Sequence, residues 1–293
     1  MYNHCLSVKE VKELARGLIL KYSFNGLTAA STDTNPPVSD TTIFDESGMS
    51  NDGKTRGTIY KTSDSIHAAT HWVGNCANAV YIQNNFAPLQ TFTYSAWFKS
   101  TNSGSAAYEY IMGNGRDYGT GCGSSLCIIH SSGAMCLQLG NGTNQLWIYS
   151  TTSVADGNWH QVAATYDGTT AVLYIDGIQQ STGTLAGPLS WSNVDNDTTG
   201  KTFVIGKMCY GYTDTSTYFP FTGDLSDVRV YNTCFSASDV LNLYQTRKSI
   251  SRSGELFVNS INEASGNTLG ITTGGEQKAI RFNEIITLSD GSM

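Results

Sequence analysis

Two runs of alternating residues joined by Asp-Gly turns constrain this chain more than any other feature. His160–Tyr166 is followed by Asp167-Gly168, then Ala171–Ile175, then Asp176-Gly177. Asp-Gly supplies the positive φ angles that tight hairpin connections need, and a period of two places successive side chains on opposite faces of a sheet. The segment is therefore predicted to be a pair of antiparallel strands. Trp159, Val162, Ala164 and Tyr166 are expected to cover one face, with Leu173 and Ile175 opposite them across the hairpin.

Similar short runs recur along the chain. Leu18–Phe24, Val80–Ile82, Thr91–Lys99, Tyr108–Met112, Leu126–His130, Ala134–Leu139, Gln145–Tyr149, Phe203–Gly206 and Leu225–Tyr231 all read as strands, with Gly, Asn and Ser at the turns. Phe44–Gly53 reads as a loop by its turn residues. Thirty Gly and sixteen Tyr suit short strands and tight turns, and 40% hydrophobic residues suffice for a core. About a dozen strands is the number that a two-sheet antiparallel jelly-roll sandwich requires. The expected fold class is all-β, with one large domain and appendages rather than two domains.

The ends carry a repeat. Ser7-Val8-Lys9-Glu10 is a capping box, and Val8, Val11 and Leu14 follow at helical spacing up to Gly17, which predicts a short helix. Tyr231–Leu243 aligns without gaps on Tyr2–Leu14, with Tyr, Asn, Cys, Ser, Val and Leu identical, so a second helix is expected from Ser236. Two chance capped helices are the alternative. Residues 1–17 then look like the tail of a preceding repeat, 18–248 like the complete jelly roll, and 249–293 like a β-rich tail. That tail carries Leu256, Val258, Ile261, Ile280, Phe282 and Ile285. A lone hairpin is marginal in water, so the tail is expected to dock, another copy of the chain being one partner.

Composition excludes several functions. A net charge of −7, with basic residues that form no run, argues against nucleic acid as a partner. No stretch approaches the roughly 20 apolar residues that span a bilayer, and no signal peptide is recognisable at the N-terminus. Seven cysteines are too few for a disulfide scaffold and odd in number, which makes reduced thiols the expectation. Cys122, Cys127, His130 and Cys136 admit a zinc reading, but the spacing is not that of a knuckle, and buried thiols or a hairpin disulfide are the alternatives. Glu109 stands alone in its strand, and no carboxylate pair at strand spacing, nucleophile elbow, metalloprotease helix or phosphate loop occurs. A non-catalytic protein is expected.

Three motifs then carry a resemblance. Asp156–Gly168 with Leu173–Gly177, Phe221–Asn232 followed by Phe235-Ser236, and the loop Asp45–Gly53 resemble, in order, the central hairpin, the closing strand and the Asp-Ser-Gly loop of laminin-G-like, concanavalin A-like domains. The resemblance implies a jelly roll that binds carbohydrate. Aromatic side chains in the loops are candidates for that role: Tyr118, Trp191, Tyr210, Tyr212 and Tyr218, with Asn193, Asp195, Asn196 and Asp197 beside Trp191. Rim packing under long loops is the alternative for each. It also implies a Ca²⁺ site, with Asp45, Asp52, Asp224 and Asp227 as candidate ligands. The alternative is that Asp45 and Asp52 only form Asx turns and that Asp227 only pairs with Arg229 or a helix end. Partial repeats and β tails on such modules resemble bacteriophage virion or tail-appendage proteins, which implies assembly in a host cytoplasm with other virion subunits or as a homo-oligomer.

Overall fold

The computed structural model of the protein describes residues 11, 15–24, 42–56, 59–61, 70–73, 79–82, 89–101, 107–114, 122–190, 203–208 and 219–248. They form two antiparallel sheets. One, called sheet A, has the order β14 (Ile178–Thr184), β13 (Thr170–Ile175), β12 (Trp159–Tyr166), β7 (Phe92–Lys99), β16 (Thr222–Tyr231), β5 (Thr70–Val73), β4 (Tyr60–Lys61), with β1 (Leu18–Tyr22) also on β16. Sheet B has the order β11 (Gln145–Ser153), β10 (Ala134–Asn141), β9 (Cys122–Ile129), β8 (Tyr108–Gly113), β15 (Phe203–Ile205), β6 (Ala79–Ile82), β3 (Gly53–Arg56), β2 (Thr42–Ile43). This is the expected two-sheet sandwich.

The hairpin that opened the sequence reading sits in sheet A with Val162 opposite Ile175 and Ala164 opposite Leu173. Asp176 and Gly177 have φ of 53° and 77°, so the two-residue turn is of the primed type that matches strand twist. Val162, Ala164, Tyr166, Leu173 and Ile175 all enter the core between the sheets. Trp159 does not. Its odd offset from Val162 puts it on the outer face of sheet A, opposite Lys99, which corrects the grouping read from the sequence.

The core is built from the inner faces of both sheets, with Tyr22, Val80, Phe92, Tyr94, Phe98, Leu126, Leu137, Leu173, Phe203 and Val228 among its members. Gly206 lets the two sheets close at one point: its φ is 89°, and a Cβ there would run into the Trp72 ring. On the outer face of sheet A lies the helix α1 (Ala237–Lys248). Ser236 and Asp239 form its capping box, each side chain taking the other's backbone N–H at 3.3 Å. Val240 and Leu243 pack with Leu18, Ala163, Tyr174, Tyr231 and Phe235, so the repeated Tyr, Val and Leu positions of this copy are buried docking residues.

The first copy lies almost wholly outside the described residues. Its end is visible: Arg16 pairs with Asp239 at 2.9 Å and lies over the Phe235 ring, and Asn232 N–H donates to the Gly17 carbonyl at 2.9 Å. The tail at 249–293 also lies outside the described residues.

Candidate functional site

The sequence candidates for sugar contact, Tyr118, Trp191, Asn193, Asp195, Asn196, Asp197, Tyr210, Tyr212 and Tyr218, all lie outside the described residues. The four candidate calcium ligands are placed. Asp45 and Asp52 meet in one loop, where Asp52 Oδ1 accepts from Asp45 N–H at 2.8 Å. Asp45 itself accepts four donors: Lys21 and Ser47 N–H on Oδ1, Ser47 Oγ and Asn51 N–H on Oδ2, at 2.6–3.0 Å. Asp224 accepts from His71 Nδ1 at 2.7 Å. Asp227 takes Arg229 Nε and Nη2 on its two oxygens, both at 2.8 Å.

Among the described residues no three His, Cys, Asp or Glu side chains converge as metal ligands. The roles seen for Asp45 and Asp227 are the loop-forming and ion-pairing alternatives. A Ca²⁺ ion at Asp45 would have to displace amide and hydroxyl donors that already occupy both oxygens.

The zinc alternative at the cysteines fails on spacing. Five residues of one strand hold Cys122 about 17 Å from Cys127, while His130 is exposed in the β9–β10 turn. Cys127 and Cys136 stand opposite each other in register and are buried free thiols.

Those thiols lie under a feature that sequence reading missed. The outer face of sheet B, away from the main core, carries a second apolar cluster of Tyr110, Cys127, Cys136 and Met208, with Tyr108, Ile129, Trp147 and Phe219 packed on it. Tyr108 is its hub, set edge-on to Trp147 at 6.0 Å, to Phe219 at 5.2 Å and to Tyr110 at 6.4 Å. Tyr110 O–H donates to Gln138 Oε1 at 2.7 Å, and Gln138 Nε2 reaches Cys127 Sγ at 3.4 Å, which ties the floor of the cluster to the strands. Trp147 Nε1 donates to Gln145 Oε1 at 3.0 Å, fixing the indole on the face.

Two residues along β11, Tyr149 is 44% exposed. Burial raises its phenol pKa, helped by Cys136, Tyr108 and Cys127, so it stays a neutral hydroxyl. The result is a set of partly exposed rings, Tyr108, Trp147 and Phe219, beside amide and phenol groups. Ring faces take the C–H faces of sugars, and the neighbouring amides and phenol can serve hydroxyls. The signal was present in β11: Leu146 and Ile148 point to the core, yet Gln145, Trp147 and Tyr149 on the alternate face are also large, which a simple solvent face would not be.

Glu109, alone in its strand β8, is fully buried and accepts from Ser100 Oγ at 3.1 Å.

Comparison with solved structures agrees on the fold. Domain 4 of an extracellular arabinanase from Geobacillus stearothermophilus, in complex with arabinotriose, superposes with a TM-score of 0.55 at 19% identity, covering 78% of this chain and 98% of that one. The botulinum neurotoxin serotype D binding domain gives 0.53 at 15%, covering 79% of this chain and 52% of that domain. A botulinum neurotoxin type C structure, from work on its dependence upon interaction with two ganglioside molecules, gives 0.55 at 14%, covering 81% and 53%. The chain thus spans about half the length of the toxin domains it matches. No curated protein sequence matches it. The laminin G 3 family model matches residues 74–241, and the chain therefore belongs to the concanavalin A-like lectin/glucanases superfamily.

Proposed function

We propose that the protein is a non-catalytic carbohydrate-binding module that takes a glycan on the outer face of sheet B. The observation that carries this is the Tyr108-centred ring cluster, half-exposed outside the core and held by ring and amide contacts rather than by the sandwich itself. A preorganised aromatic face lowers the ordering cost of binding. Two structural neighbours are described with arabinotriose or gangliosides, which agrees with a saccharide ligand.

The test is a glycan array followed by titration of the best ligand. Trp147→Ala is expected to weaken binding by about tenfold or more, the worth of one ring–sugar contact of about 1.5 kcal/mol. Unchanged affinity in a variant that still melts cooperatively would refute the placement.

In this reading the module belongs to a phage virion or tail appendage assembled in the host cytoplasm, with other subunits or copies of itself as partners. A purely structural scaffold is the second reading, and one observation favours it. Val11 is 52% exposed while its repeat counterpart Val240 is fully buried against sheet A, so the first copy carries a docking residue without its surface. Mass measurement and negative-stain imaging of the native assembly separate the two, since a stable monomer is incompatible with a scaffold.

A further inference from the structure

We propose that the glycan taken by the outer face of sheet B is a linear oligosaccharide, bound as consecutive units laid lengthwise along β11. The inference rests on the carbohydrate-binding reading above and narrows it from a face to a strip.

The strip is defined by register and burial together. Among the described residues β11 is an end strand of sheet B, with β10 as its neighbour. On the outer face Gln145 stands opposite Gly140, Trp147 opposite Gln138 and Tyr149 opposite Cys136. The β10 member of each pair is buried, whereas Gln145 and Tyr149 are exposed and Trp147 is partly so. One strand further in, Ser125 and Cys127 are buried as well. Contact is therefore offered along β11 and not across the sheet. Alternate residues of a strand lie about 7 Å apart, so the accessible strip runs about 14 Å from Gln145 to Tyr149 and is one strand wide.

The two rings on it differ. Trp147 leans inward, edge-on to Tyr108 at 6.0 Å with its Nε1 held by Gln145 Oε1. Tyr149 stands outward, and among the described residues its phenol holds no hydrogen bond, which leaves it open to a ligand hydroxyl. Beyond Tyr149 the pairing shifts, and the next opposed pair is Ser153 with Ala134. In that bulge Thr151 turns toward β14, donating through both its N–H and its Oγ1 to Gln180 Oε1 at 3.2 and 2.7 Å. The strip thus has an aromatic middle and a polar, exposed end. A single terminal sugar rests on one ring and leaves the other bare. A chain lying lengthwise sets consecutive units on Trp147 and Tyr149, ring face to C–H face, and the next unit at the bulge.

The full chain is titrated with arabino-, xylo- and cello-oligosaccharides of one to five units, and screened on an array that carries further linear glycans together with branched and singly capped ones. In at least one linear series affinity is expected to rise about tenfold or more from one unit to three and then to level off, the worth of one added ring contact being about tenfold. Trp147→Ala is expected to lower affinity at every length. Tyr149→Ala is expected to flatten the rise with length, and Tyr149→Phe, which keeps the ring, to restore most of it. Thermal melts check that each variant is folded, and the exposed Tyr149 carries the test should Trp147→Ala fail to fold. Equal affinity for one unit and three, array binding confined to branched or capped glycans, or a length dependence that survives Tyr149→Ala would overturn the proposal while leaving a carbohydrate ligand in place. Binding to no glycan at all overturns the carbohydrate reading, and the linear ligand with it.

Discussion

The strongest stability prediction concerns Asp227 and Arg229. Asp227 sits at the bulge of β16 between Ser226 and Arg229, where the strand passes from pairing with β5 to pairing with β1. Its φ of 49° is left-handed. Both carboxylate oxygens are taken by Arg229, and the two side chains are only 4% and 8% exposed. Burial works against the guanidinium charge, but Asp227, with Tyr231 behind it, more than offsets this and raises the Arg229 pKa overall. Asp227→Asn removes the charge while keeping a residue that tolerates the left-handed backbone. It leaves a buried cation without its counter-charge, a situation that costs about 3–5 kcal/mol.

That is a large part of the roughly 5–15 kcal/mol by which domains are stable. Urea unfolding followed by tryptophan fluorescence should show the midpoint falling with the slope unchanged. The double variant Asp227→Asn/Arg229→Met removes the stranded charge as well and should recover most of the loss, to within about 1–2 kcal/mol of the parent. A loss below about 1 kcal/mol for Asp227→Asn, or a double variant as unstable as the sum of its parts, would refute the account of this pair.

Asp45→Ala strips an acceptor from four donors and should cost about 2–4 kcal/mol in EDTA as in buffer; a loss seen only with added Ca²⁺ in thermal melts would instead make the loop a metal site. His160 has both ring nitrogens on carboxylates, Nδ1 at 2.8 Å from Asp176 and Nε2 at 3.2 Å from Asp156, an arrangement that needs the doubly protonated ring. The Asp176 hydrogen bond is the main cause that raises its pKa above the unfolded value near 6.5. Its contribution is therefore complete below about pH 6.5 and is lost as pH rises through the folded value, so the melting temperature should fall across that window and less so in His160→Gln. A profile identical in both proteins would remove the switch.

Much of the fold was legible because its elements were each specified locally. β7, β8, β10, β12 and β13 carry apolar residues at period two bounded by turn residues, and Ser236 with Asp239 announces α1. β14 was not legible. Its sequence, Ile-Gln-Gln-Ser-Thr-Gly-Thr, has no apolar face, and it is a strand because the Asp176-Gly177 turn aims it back along β13. The two-residue strands β2 and β4 are likewise products of pairing with β3 and β5, too short to carry a period of their own.

The site was harder to read for a different reason. The aromatics that fall among Gly, Ser and Asn are the sequence candidates for sugar contact, because binding residues commonly ride on loops. Trp147 and Tyr149 are instead regular strand residues whose register is fixed by Gln138 and Cys136 on β10. A strand at the edge of a two-layer sandwich needs one apolar face. β11 has Leu146 and Ile148 for the core and Trp147 and Tyr149 for the other side, and that surplus is the sequence trace of the proposed ligand face. The same logic exposes Trp159. Counted with Val162 it seemed core, but parity places it outside with Lys99, and only the register of β12, β7, β16 and β5 reveals that the residues meeting it across the sheet are a lysine, a carboxylate and an oriented histidine. Pairing between strands distant in sequence is what a single-sequence reading lacks, and it is what sets Trp159 opposite Lys99 and Asp224 opposite His71.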